Sequence, residues 1–175
     1  MLFRKRIISQ SGFTLMEIIV VIAIVSIVSA IALANISDSL PGFRLRSDAR
    51  DIVSCLQEVK MRAVKENADT YISFDVANNE YNAWIDNGAG VGEAGNGSFD
   101  AGETVFNEAT LTTGIELYQI NGFPGDTFGF NSRGLPATTV GSVFIKNSKS
   151  VYIKIIVSTA GNIRVEKSSD GINFN

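Results

Sequence analysis

A single carboxylate in a long apolar run constrains this chain more than any other feature. Between Phe13 and Ile36, Glu17 is the only charged side chain, and the basic cluster Arg4-Lys5-Arg6 precedes the run. A helix over that run, rising ~1.5 Å per residue, would cross a hydrocarbon layer about 30 Å thick. A charge inside such a helix costs roughly 2.5–3.5 kcal/mol on insertion scales, so carboxylates there are as a rule paired and functional. Function therefore turns on what meets Glu17.

The basic cluster before the run, with none close behind it, predicts a cytoplasmic N-terminus and an exported remainder. An ordinary secretory signal peptide shares the basic start and apolar core. This run is too long for such a core, and Ala30-Ile31-Ala32 and Ala32-Leu33-Ala34 match a cleavage site only in part.

The chain carries 18 acidic and 15 basic side chains, a net charge of −3, and three of the basic ones lie in the cluster at its start. An acidic exported domain does not suit a polyanionic partner. Histidine is absent, which removes the commonest general base and the commonest transition-metal ligand. No nucleophile stands beside a visible base, so the sequence argues against an enzyme. The lone cysteine, Cys55, can form no intramolecular disulfide; between Ile52 and Val59 it reads as a buried thiol.

Leu40-Pro41-Gly42 predicts a kink or interruption in the helix. Beyond it Leu45, Ala49, Ile52, Leu56, Val59 and Ala63 recur in steps of four and three, the apolar stripe of an amphipathic helix. After Asn67 the pattern turns to strands. Tyr71–Val76 and Glu80–Ile85 read as a hairpin around Ala77-Asn78-Asn79. Further strands are expected at Thr104–Asn107, Ile115–Gln119, Thr127–Asn131, Ser142–Lys146, Val151–Val157 and Asn162–Glu166, separated by Gly, Asn and Ser.

The segment Gly12-Phe13-Thr14-Leu15-Met16-Glu17 resembles the processing site of type IV prepilins and type II secretion pseudopilins. The resemblance implies cleavage after Gly12, N-methylation of Phe13 as the new N-terminus, and an assembly role for Glu17. Cleavage would create an amine at Phe13, one helical turn from Glu17, or offer that carboxylate the amine of a neighbouring subunit. The helix dipole would also favour a carboxylate at this end. Three later segments are similar to the minor pseudopilin H and FimT-like (GspH/FimT) family: Ala49–Asn67, Phe128–Pro136 and Ile156–Val165.

Two further binding sites can be weighed from the residues. Some FimT-like proteins bind DNA through a Gly-Arg-x-Arg segment; here Gly161-Asn162-Ile163-Arg164 lacks the first arginine and only Lys167 lies close by. Arg164 and Lys167 are therefore the DNA candidates of an acidic domain that argues against DNA as a partner. Asn96-Gly97-Ser98-Phe99-Asp100-Ala101-Gly102-Glu103 matches the second half of a calcium loop. Gly92 and Ala94 stand where its first two oxygen ligands belong, so an EF-hand type of site is not expected. Asn96, Asp100 and Glu103 remain the calcium candidates, with Asp86 or Glu93 as outside donors. No other cofactor is expected, and the plain reading of 86–103 is an exposed, mobile excursion between strands.

The sequence thus predicts an α+β, pilin-like chain, a long N-terminal helix packed on an antiparallel β-sheet domain. Its parts are a leader at 1–12, a transmembrane assembly helix at 13–36, an amphipathic helix at 37–67 and an extracytoplasmic β-rich domain at 68–175. The resemblance implies a structural minor pilin or pseudopilin in the bacterial inner membrane, its C-terminal domain periplasmic. It would start or cap a type II secretion pseudopilus or type IV pilus. The implied partners are other pilins, the prepilin peptidase and N-methyltransferase, the inner-membrane assembly platform and the lipid bilayer. The alternative function is a DNA- or surface-binding minor pilin.

Overall fold

An apolar run from Leu15, an apolar stripe beyond Pro41, and no glycine or proline between Leu15 and Leu40 produce one very long helix. α1 runs Leu15–Glu66 in a computed structural model that describes residues 12–89 and 93–174, with the side chains of all but 32–36. The leader, Gly12 excepted, lies outside the described residues. Of the kink or interruption expected at Leu40-Pro41-Gly42, the interruption does not occur: helix continues through Pro41. Proline forfeits one backbone bond, a loss that long helical runs on both sides absorb. The chain nevertheless divides there into two units, Met1–Ser39 and Leu40–Asn175.

In the first unit the apolar side chains of α1 from Leu15 to Ile31 stand exposed. Among the described residues no helical stretch is long and apolar enough to cross a membrane. Because the side chains of 32–36 fall outside the description, the span expected over Phe13–Ile36 rests on the sequence.

In the second unit α1 presents the expected stripe: Leu45, Ala49, Ile52, Leu56, Val59 and Ala63 are all buried. The helix ends where Asn67 takes the left-handed conformation at φ 50° and the Ala68 N–H donates to the Ala63 carbonyl, a Schellman-type stop. Eight strands follow: β1 Asp69–Asp75, β2 Glu80–Asp86, β3 Thr104–Thr110, β4 Ile115–Asn121, β5 Thr127–Phe130, β6 Ser142–Asn147, β7 Tyr152–Val157 and β8 Ile163–Ser168. They form two four-stranded antiparallel sheets, in orders β3-β2-β1-β5 and β4-β6-β7-β8. Splitting the strands gives each sheet its own apolar face. Ile72, Phe128 and Phe130 come from the first, and Val143, Ile145 and Ile155 from the second; all join the helix stripe in one core.

Polar contacts fix how helix and sheets meet. The tip of the β1–β2 hairpin carries Asn79 at φ 58°. Its carbonyl accepts the Leu111 N–H and its Oδ1 accepts the Leu117 N–H of β4, joining the sheets. Asp48, buried on the helix, accepts the Thr112 N–H at 2.9 Å and the Thr112 hydroxyl at 2.7 Å. Lys60 donates to the Gly161 carbonyl at 3.0 Å and lies over the Phe130 ring.

Cys55 is buried in this core, and burial, assisted by the nearby Glu58 charge, pushes its thiol up to about 12. The thiolate is the reactive form. At pH 8 iodoacetamide should therefore leave native Cys55 unmodified and alkylate it readily in denaturant, as intact mass would report. Leu56 is wholly buried and Val64 exposed. Leu56→Ala should cost about 2–5 kcal/mol, against roughly 0.5 kcal/mol or less for Val64→Ala, measured by urea unfolding of the full chain in detergent.

Candidate assembly site

The helix start is built from the residues that the sequence singles out. Thr14 is the N-cap, and its Oγ1 accepts the Glu17 N–H at 3.2 Å. The threonine and glutamate three residues apart match the spacing of a capping box, of which the Thr14 half is formed. The position of Glu17 in the first turn also suits the positive end of the helix dipole. Phe13 is 79% exposed. Among the described residues nothing within 4 Å would meet a Cβ at Gly12. Glu17 is exposed among uncovered apolar neighbours, and its carboxylate meets no side-chain partner among the described residues.

Most of residues 93–102 are exposed, as expected of an excursion between strands, and the described part of the loop is tied back at several points. The Asp86 carboxylate accepts the Gly95 N–H at 2.6 Å and the Gly97 N–H at 2.8 Å, drawing the loop back onto the sheet. Phe99 meets the Trp84 ring edge-on, and Trp84 stacks on Tyr71. Of the calcium candidates, Asn96 Nδ2 donates to Asp100 at 2.8 Å, and Glu103 accepts the Asp100 N–H at 2.9 Å. The three are thus linked in one chain of hydrogen bonds. Among the described residues no group of three or more His, Cys, Asp or Glu could hold a metal ion. Gly92 lies outside the described residues, and Glu93 is exposed.

Asp86 and Glu103 are both buried. Burial first, and the Asp86 charge as well, raise the Glu103 carboxyl above its ordinary range. Tyr71 is pushed up to about 12 by burial and by Asp69 and Asp86.

Arg164 and Lys167 lie three residues apart on β8, both exposed. The alternation of a strand sends side chains at that spacing to opposite faces, so the two DNA candidates do not form one patch.

Sequence reasoning missed Asp48, although it lies three residues after Leu45 and four before Ile52, on the stripe itself. A carboxylate on an apolar stripe is a signal that it has a buried partner, here Thr112. It also missed Asp170, which accepts from Ser168, Ile172 and Asn173 and so folds the C-terminal segment. Those bonds hold its carboxyl well below the usual range.

A long helix with an exposed apolar first part, a capped Thr-x-x-Glu start and a β-rich domain on its second part define a pilin-like subunit. Two family profiles match: the prokaryotic N-terminal methylation motif over residues 8–33, and type II transport protein GspH over residues 48–161. The chain belongs to the GspH family of type II secretion minor pseudopilins, whose members are structural and non-enzymatic. A search of curated proteins returns no match.

Among solved structures, two of the minor pseudopilin EpsH from the type 2 secretion system of Vibrio cholerae share the fold. One has a TM-score of 0.54 at 16% identity, covering 70% of this chain and 95% of that one. The other has a TM-score of 0.50 at 14% identity, covering 70% and 92%. The family implies assembly with other pseudopilins and inner-membrane anchoring by the N-terminal helix.

Proposed function

We propose that this chain is made as a prepilin, cut after Gly12 by prepilin peptidase and methylated at Phe13, and that Glu17 then directs its entry into a pseudopilus. The observation that carries this reading is the lone carboxylate of an otherwise apolar helix, one turn from the Gly12–Phe13 junction. Exposed apolar side chains along Leu15–Ile31 need lipid before assembly and neighbouring helices after it. In either setting an unpaired carboxylate is costly, and an amine created at Phe13 relieves it. With the basic leader retained in the cytoplasm, the 68–175 domain faces the periplasm.

In this reading the chain is a minor subunit that starts or caps the filament and docks on the inner-membrane assembly platform. The alternative, binding DNA or a surface, would use Arg164 and Lys167, and their placement on opposite faces of β8 lends it no support.

The reading separates two steps that variants can isolate. Gly12→Asp should stay at full precursor length and be absent from sheared filaments. Glu17→Val should be cut normally and remain in the membrane, yet reach filaments at a small fraction of the wild-type amount. Immunoblots of membrane and filament fractions read both. Normal incorporation of either variant contradicts the proposal.

A further inference from the structure

Three neighbouring strands of the first sheet bring carboxyls into one row. The register pairs Asp69 of β1 with Asp86 of β2, and Ile85 with Thr104 of β3, so Glu103 stands at the next position outward, across from Asp86. Residues directly opposite have Cβ atoms about 4.5–5.5 Å apart, and like charges there are destabilising. Asp86 and Glu103 are buried, whereas Asp69 is half-buried and accepts the Tyr71 phenol. In the loop, Asp100 is bonded to the Asn96 amide and Glu93 is exposed. Among the described residues neither Asp86 nor Glu103 forms an ion pair with a lysine or arginine.

The buried pair is asymmetric. Both oxygens of Asp86 accept backbone N–H groups, from Gly95 at 2.6 Å and from Gly97 at 2.8 Å, and such bonds favour the charged form. Glu103 accepts the Asp100 N–H through Oε2, while its Oε1 is buried with no donor against it. Buried polar atoms are nearly always partnered. A proton on Oε1 turns that atom into a donor toward Asp86, whose oxygens keep free lone pairs after accepting the two N–H groups. One hydrogen bond then replaces the repulsion of two buried charges.

We propose that a single proton, carried by Glu103 and donated to Asp86, closes a pH-sensitive clasp that fastens residues 95–99 to the first sheet. Gly95 and Gly97 hang on the Asp86 carboxylate, and Phe99 meets the edge of the Trp84 ring. Trp84 lies two residues before Asp86 on β2, hence on the same face of the sheet. Burial first, then the charge and hydrogen bond of Asp86, raise the Glu103 carboxyl, with the N–H groups of Asp100 and Gly88 acting the other way. Losing the proton as pH rises sets two negative charges against each other beneath residues 95–99 and loosens their hold on Trp84. Few other groups respond between pH 5 and 8. Histidine is absent, Cys55 and Tyr71 are pushed up to about 12, and hydrogen bonds hold Asp75 and Asp170 low.

A carboxyl raised by folding stabilises the fold below its ordinary range and loses that contribution as pH climbs through the raised value. Urea unfolding of the full chain in detergent, from about pH 4.5 to 8, compares the wild type with Glu103→Gln, whose amide keeps a donor for Asp86 at every pH. The N-terminal amine titrates alike in both. Relative to Glu103→Gln, the wild type should lose up to about tenfold in its folding equilibrium constant per pH unit until Glu103 is ionised. Over the same range the emission of Trp84, the chain's one tryptophan, should shift to the red in the wild type and stay fixed in Glu103→Gln. Should Glu103→Gln fail to fold, carbon-13 NMR of the glutamate-labelled wild type decides: one carboxyl should titrate above the ordinary value of about 4.3. A stability gap indifferent to pH overturns the proposal. So does Trp84 emission that stays fixed in the wild type or moves equally in both proteins, and so do glutamate carboxyls that all titrate in the ordinary range.

Discussion

Burial of one helical stripe holds the second unit together. Leu45, Ile52, Leu56 and Val59 join the apolar faces of both sheets in one core, and among the described residues α1 is the only α-helix. Without that stripe Phe128 and Phe130 of one sheet and Ile145 and Ile155 of the other would lose their shared core. The polar clasps from Asp48 to Thr112 and from Lys60 to Gly161 then choose one docking geometry among those that apolar contact alone would tolerate. The same helix thus has two kinds of surface. Its second part is satisfied by its own chain, while its first part leaves apolar side chains for other molecules to cover.

This division of labour explains where chemistry is found and where it is not. A structural subunit needs a rigid domain and a sticky helix, and its ionisable groups act as fasteners. Asp48 clasps a loop, Asp170 folds the C-terminal segment, and Asp86 draws a glycine-rich loop onto the first sheet. Cys55 is sealed inside the core as one more apolar contact. Glu17 differs from these, since its carboxylate has capacity that the described fold does not use up, and the proposed complement is an amine made by processing.

Much of this was legible in the sequence because the informative patterns are local. One charge in an apolar run needs no tertiary knowledge to be noticed, and the stripe from Leu45 to Ala63 follows from helical spacing alone. All eight strands were visible as short β-favouring runs between turn residues. Their sorting into two sheets was hidden, because β1 pairs with β5 and β4 with β6 across long stretches of intervening chain. The same non-locality hid Asp86 and Glu103: they become neighbours only when the β2–β3 register is known. One long helix was legible from the apolar run and the stripe behind it; the interruption weighed at Pro41 fails because long helical runs on both sides outweigh proline's local penalty.

The central claim is that the amine complementary to Glu17 is created by cleavage between Gly12 and Phe13. Mass spectrometry of the intact protein, isolated from the membranes of its native host, reads the N-terminus directly. The account predicts a chain beginning at Phe13 and carrying one added methyl group on its amine. A chain that still begins at Met1, or one cut after the apolar run near Ala32 or Ala34, would contradict it.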